Sequence, residues 1–201
     1  MKLYYSPTAC SMAPHIVMRE LGLPFETVQV DLRTHKLTKT GEDYYKINPK
    51  GYVPAIELDD GSLLTEDAAI LQYLGDQKPG MLAAAGSMER YHTIEWLTFI
   101  SSELHKGFSP LFNNAMPEAA RKIFVDKLNL RFALLDKHLA DNDFLMGQQF
   151  TVADAYAYTV INWATGVKLD LSPYTHLQAY MRRVAARPAV RETVHIEKLA
   201  A

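Results

Sequence analysis

The chain carries a single cysteine, Cys10, in the run Tyr5-Ser6-Pro7-Thr8-Ala9-Cys10-Ser11. One thiol cannot form an internal disulfide or a cysteine-rich zinc site, which leaves a nucleophile, a redox thiol or an inert core side chain. Its position favours chemistry. Pro14 lacks an N–H and is tolerated only in the first turn of a helix, so a helix must begin near residues 10–13. Cys10 then faces unpaired N–H groups and the positive end of a helix dipole, an environment that stabilises a thiolate. The dipole contributes about 0.3–1 kcal/mol, less than one pKa unit, so strong activation needs a second group. His105 is the candidate.

Two other segments carry candidate ligand contacts. Asn48-Pro49-Lys50-Gly51 turns the chain into Val53-Pro54-Ala55, a strand that opens on proline and so begins there or runs at an edge. A cis bond at Pro54 would aim the Val53 backbone toward the Cys10 turn; the alternative is an ordinary turn. Thr65-Glu66-Asp67 opens another helix. Acids in a first turn suit the dipole on their own account. The same N-terminus can also hold a small anionic ligand on its N–H groups, with a nearby carboxylate pairing the ligand's ammonium.

The elements that must position these residues divide the chain in two. Residues 2–5, 26–30, 55–58 and 62–64 read as strands, the last two joined by an Asp60-Gly61 turn. Residues 11–21, 42–47 and 66–77 read as helices, the middle one weak. The order β-α-β-α-β-β-α joins a βαβ unit to a terminal hairpin, which matches a thioredoxin-like fold. Pro79-Gly80 and Ala83-Ala84-Ala85-Gly86 read as a linker. Beyond it, helical periodicity covers residues 88–111, 118–140, 152–167, 173–186 and 190–199. The expected fold is α/β plus all-α, with a thioredoxin-like domain over residues 1–80 and a helical bundle over residues 87–201.

Two patterns in the helical half are specific. Thr151 with Asp154 three residues on fits a capping box, a folding device. In the long helix, Ile94, Leu97, Ser101, Leu104, Phe108 and Leu111 form an apolar stripe. Tyr91, Glu95, Thr98, Ser102 and His105 form a polar stripe about 100° round, suited either to a wet crevice or to an exposed face.

Composition excludes several roles. Hydrophobic residues make up 48% and charged residues 22%, with a formal net charge of −2 and no basic cluster, so nucleic acid is not an expected partner. Apolar runs fall far short of the roughly 20 residues needed to cross a bilayer, and no signal-peptide run opens the chain. With one free cysteine, a reducing cytoplasm is the expected compartment.

Over essentially its whole length the chain resembles the glutathione transferases, specifically the bacterial Beta class. The matching segments are Lys2-Leu3-Tyr4-Tyr5, Ala9-Cys10-Ser11, Asn48 to Ala55, Leu64-Thr65-Glu66, Glu95-Trp96-Leu97, Glu103-Leu104-His105-Lys106-Gly107-Phe108 and Phe150 to Tyr156. The resemblance implies a cytosolic homodimer that binds glutathione as co-substrate, needs no metal, and conjugates it to small hydrophobic electrophiles, with thiol–disulfide exchange as a side activity. It implies catalytic roles for Cys10, Ser11 and His105. It places glutathione against His35, Lys36, Tyr52, Val53, Pro54, Glu66 and Asp67, with Thr98, Ser102 and Glu103 reaching it from the helical domain. Met12, Phe112, Met116 and Trp163 would line the electrophile pocket, and by pattern they fit the core equally well. Asp67 departs from the serine usual at its position, and Thr98 from a common asparagine. A non-catalytic carrier or interaction module on the same scaffold is the alternative.

Overall fold

The computed structural model describes residues 1–200. It divides into two compact units, residues 1–78 together with the chain from Arg187 onward, and residues 79–186.

The first unit is built on a five-stranded sheet of order β3-β2-β1-β4-β5. Its strands are β1 (Lys2–Tyr5), β2 (Glu26–Asp31), β3 (Lys36–Leu37), β4 (Ala55–Glu57) and β5 (Leu63–Thr65). β1 runs parallel to β2, with Leu3 opposite Thr27, and antiparallel to β4, with Leu3 opposite Ile56. Leu3, Tyr4 and Tyr5 are all buried because both faces of this central strand are covered. Alternation sends Tyr4 to one face, where it packs with Val30, Leu37, Tyr44, Val53 and Ala55. Tyr5 points to the other face and meets His15 of helix α1 (Met12–Glu20) edge-on at 5.9 Å. Helix α2 (Asp67–Gly75) also packs on α1. The sheet and its helices follow the expected thioredoxin-like order.

Several details differ from expectation. The weak helix at 42–47 is a single 3₁₀ turn, Tyr44–Lys46, capped by the Asp43 carboxylate on the Tyr45 N–H. Strand β3 is two residues long, too short to leave a period in the sequence. The last helix, α8 (Pro188–Ala200), packs on α1 and so belongs to the first unit, whereas the expected division put residues 187–200 with the bundle. A buried pair, His15 with Glu197, and the Arg187–Glu20 ion pair fasten it there.

In the second unit, α3 (Met88–Phe99) passes into a π-helical turn, Ile100–His105, then α4 (Lys106–Phe108) and a 3₁₀ turn to Phe112. The expected uninterrupted helix 88–111 is therefore broken in register. A π turn adds a residue per hydrogen-bonded ring. Ile100 is buried while Ser101 is only half-buried, so the apolar stripe jumps one residue. Gly107 lets the chain approach α5 (Glu118–His138): a Cβ there would lie 2.9 Å from Leu128 Cδ2. Every residue of α6 (Val152–Ile161) is buried, making it the unit's central helix. The expected capping box opens it: Asp154 accepts from the Thr151 N–H at 2.8 Å and the Thr151 hydroxyl at 2.9 Å. α7 (Thr175–Ala185) completes the unit. No helix among the described residues is long and apolar enough to cross a membrane.

Candidate functional site

Cys10 lies two residues before α1, in a turn that its neighbours hold closed. Ser11 Oγ accepts the Ser6 N–H at 3.1 Å and donates to Ser6 O at 3.2 Å, and the Ala9 N–H donates to Ser6 O at 3.1 Å. Ser11 is fully buried and its hydroxyl is spent inside the turn, so it shapes the site from within. The peptide bond Val53–Pro54 is cis. The Val53 carbonyl accepts the Cys10 thiol at 3.2 Å.

Asp67, the first residue of α2, completes this cluster. It is 6% exposed, and an Asp67 carboxylate oxygen lies within 4.8 Å of Cys10 Sγ. Its Oδ1 has no hydrogen-bond partner among the described residues. A buried polar atom left unpaired costs about 1–3 kcal/mol. Burial pushes the Asp67 carboxyl well above the usual carboxylate range, and the neighbouring Glu66 charge adds to the rise. The Cys10 thiol is also pushed well up, first by burial and then by Asp67, against the opposing pull of the Cys10 and Ser11 N–H groups. The helix-start N–H groups thus pull in the expected direction, and burial and Asp67 oppose them. Burial favours the neutral thiol, in keeping with its hydrogen bond to the Val53 carbonyl.

Glu66 precedes α2 with φ +74° and ψ 119°, a conformation costly for a residue with a side chain. Its carboxylate pairs with Lys50 Nζ at 2.6 Å, and Lys50 also reaches the Thr65 hydroxyl at 3.0 Å. His35, at φ +52°, stacks on Tyr45 with ring centres 4.6 Å apart and bonds Gly51 O through Nδ1 at 3.1 Å. Gly51 itself has φ +70°, and a Cβ there would strike the Tyr45 ring at 2.6 Å. Lys36 is exposed on β3, and the Tyr52 side chain is 71% exposed. Cys10, Val53, Pro54 and Asp67 thus converge, while His35 and Lys36 stand on a separate segment.

In the second unit, His105 Nδ1 is 2.7 Å from the Tyr156 hydroxyl, and Trp163 packs edge-on at 5.0 Å, so the imidazole is fixed in plane and tilt. The Tyr156 hydroxyl is a polar group on the fully buried α6, a signal that the sequence carries. Thr98 and Ser102 are exposed, and their hydroxyls donate to the carbonyls four residues back, at 2.8 and 2.9 Å. Glu103 is engaged by Arg131 of α5 at 2.6 Å. An apolar groove of about 550 Å³ lies on α3, α5 and the chain after it, lined by Trp96, Phe99, Leu134, His138, Leu145 and Met146 among others; it contains none of the expected site residues.

A thioredoxin-like unit with a cysteine at its first strand-to-helix turn, followed by a helical unit, defines a class of thiol-handling protein, and comparison with known proteins narrows it. Residues 8–77 match the glutathione S-transferase N-terminal domain and residues 99–188 the glutathione S-transferase C-terminal domain. Glutathione S-transferase GstA of Escherichia coli O157:H7 is 48% identical over 201 residues, covering 99% of this chain and all of that protein. Among solved structures, BphK, a bacterial GST solved as a ternary complex, is 50% identical with a TM-score of 0.96, covering 98% of this chain and all of that one. A sphingomonad glutathione S-transferase complexed with glutathione is 45% identical with a TM-score of 0.95, covering 99% of this chain and all of that one. A more distant relative, the disulfide-bond oxidoreductase YfcG of Escherichia coli K12, is 28% identical over 96% of this chain and 93% of its own length. The chain belongs to the glutathione S-transferase family and is a glutathione transferase.

Proposed function

We propose that the turn at residues 6–11, the Val53 backbone and the start of α2 form the glutathione site, and that the bound thiolate attacks small hydrophobic electrophiles in the cytoplasm. One observation carries this reading. A thiol donor before α1, the Val53 backbone and an unpartnered buried carboxyl oxygen at the start of α2 come together. The glutathione bound to the 45%-identical sphingomonad enzyme supports the choice of tripeptide.

In conjugation, the glutathione thiol loses its proton, its sulfur bonds the electrophilic carbon, and the leaving group departs with its electron pair. Cys10 keeps its own proton and donates a hydrogen bond to the glutathione sulfur, which lowers the cost of the anion without competing for the electrophile. The backbone N–H groups at Cys10 and Ser11 add to that field. Glu66 and Asp67 meet the α-amino acid end of the tripeptide, with α2's first N–H groups on its carboxylate. His35 or Lys36 meets the terminal carboxylate. His105, oriented by Tyr156, handles the thiol proton, and Thr98, Ser102 and Glu103 contribute polar contacts. The working form is a homodimer.

A second activity follows from the same sulfur. Cys10 can form a mixed disulfide with glutathione once an oxidised disulfide substrate is supplied, a reading the disulfide-bond oxidoreductase relative favours. Retention on glutathione-agarose and conjugation of a chloronitrobenzene test the first activity; loss of both results removes it. Cys10→Ala separates the two, since exchange must vanish while conjugation falls only in part.

A further inference from the structure

The turn that carries Cys10 is gripped from the far end of the chain. Thr8 has φ +62°, an uncommon and costly conformation for a β-branched residue. Its N–H donates to Glu197 Oε2 at 2.8 Å, and the other oxygen of that carboxylate bonds His15 Nδ1 at 2.9 Å. Glu197 and His15 are both 0% exposed. The Arg19 Nε–H points at His15 Nε2, 3.2 Å away, so Nε2 accepts and the imidazole proton sits on Nδ1, facing Glu197. Tyr5 and Phe25 pack edge-on against the imidazole at 5.9 and 5.6 Å. Arg19 is held in turn by Glu192. A carboxylate fully removed from water and paired on both oxygens is expensive to keep unless its partners need it in place.

We propose that Glu197 is the positioning residue of the thiol turn: α8 clamps, through this one carboxylate, the left-handed backbone at Thr8 that presents Cys10 to glutathione. The inference rests on the glutathione site assigned above. It explains why the last helix leaves the helical unit and packs on α1, and why a threonine rather than a glycine can occupy position 8. An amide cannot replace the carboxylate. With its oxygen on Thr8, the NH₂ of a glutamine at position 197 would force the imidazole proton onto Nε2, where it would meet the Arg19 Nε–H; with the amide reversed, the Thr8 N–H would face a donor.

The test is a steady-state series on the full chain with glutathione and a chloronitrobenzene. E197Q is expected to raise KM for glutathione about tenfold while kcat stays within about twofold. Thr8→Gly combined with E197Q should return KM to within about threefold of the wild type, because glycine adopts φ +62° without the clamp. Glu192→Gln, on the same helix and exposed, should leave KM unchanged. A carboxylate that merely anchors α8 would lower the melting temperature without moving KM selectively, and glycine at position 8 would restore nothing. Either a wild-type KM in folded E197Q or absence of recovery in the double variant overturns the proposal. Should E197Q fail to fold, Glu197→Asp, which withdraws the charge by one methylene, takes its place: the same rise in KM and the same recovery with Thr8→Gly are expected, and the lack of either overturns the clamp. Wild-type protein that ignores glutathione would remove the site assignment itself; wild-type binding with an indifferent E197Q removes the clamp alone.

Discussion

Asp154→Ala should cost the second unit about 4 kcal/mol. The Asp154 carboxylate accepts from the Leu145 N–H at 2.8 Å, the Thr151 N–H at 2.8 Å, the Thr151 hydroxyl at 2.9 Å and the Tyr180 hydroxyl at 3.2 Å. The residue is 0% exposed. Alanine leaves two backbone donors buried without an acceptor, each costing about 1–3 kcal/mol. Loss of the cap itself is worth about 0.5–2 kcal/mol and is partly the same energy counted from the helix side. The hydroxyls can turn to other acceptors and add little. For a chain of this length each kcal/mol moves the midpoint by roughly 2–4 °C, so the melting temperature should fall by about 8–16 °C. Asp154→Asn keeps one acceptor oxygen and should lose about half as much. Circular dichroism melts of the three proteins at one pH read the effect. At 25 °C the surviving folded fraction of Asp154→Ala should bind glutathione normally, because the box fixes α6 and touches no ligand group. A fall under about 3 °C would refute the assignment of these four bonds as the anchor of the central helix.

Other consequences can be checked individually. Asp67→Asn removes the carboxyl that helps push the Cys10 thiol up, so the thiolate should form at lower pH. Iodoacetamide should then label Cys10 about tenfold faster at pH 7.5 than in the wild type, whose rate should still be climbing at pH 9. An unchanged pH profile would show that burial alone sets the thiol. Tyr156→Phe deletes the hydroxyl 2.7 Å from His105 Nδ1 and should lower kcat about tenfold with KM for glutathione unchanged; a change confined to KM would contradict a proton-handling role. Gly51→Ala places a methyl 2.6 Å from the Tyr45 ring at φ +70° and should destabilise by about 1–3 kcal/mol, read as a lower urea midpoint.

Much of this architecture is written locally. Pro14 dates the start of α1 to within a residue or two, Asp60-Gly61 marks the hairpin, and Thr151 with Asp154 marks α6, because each signal acts over one turn of chain. The rest depends on contacts distant in sequence. The placement of α8 turns on His15 and Glu197, which are 182 residues apart, and an amphipathic helix carries no label for the unit it covers. The π turn at Ile100–His105 shifts the stripe by one residue with no glycine or proline to announce it. At the site, the position of Cys10 beside a helix start was legible, and the sign of its pKa shift was not. That sign is decided by how much water the fold removes and by the approach of Asp67, neither of which residue spacing encodes. The ion pairs Lys50–Glu66 and Arg131–Glu103 were invisible for the same reason.

Occupancy of the Cys10 turn by glutathione is the claim on which the rest depends. Calorimetric titration of the full chain with reduced glutathione, repeated after Cys10 has been alkylated with iodoacetamide, tests it most directly. The expected result is saturable binding, one tripeptide per chain, lost or weakened at least tenfold by the alkyl group in the turn. Equal heats before and after alkylation, or no saturable heat at all, would contradict it.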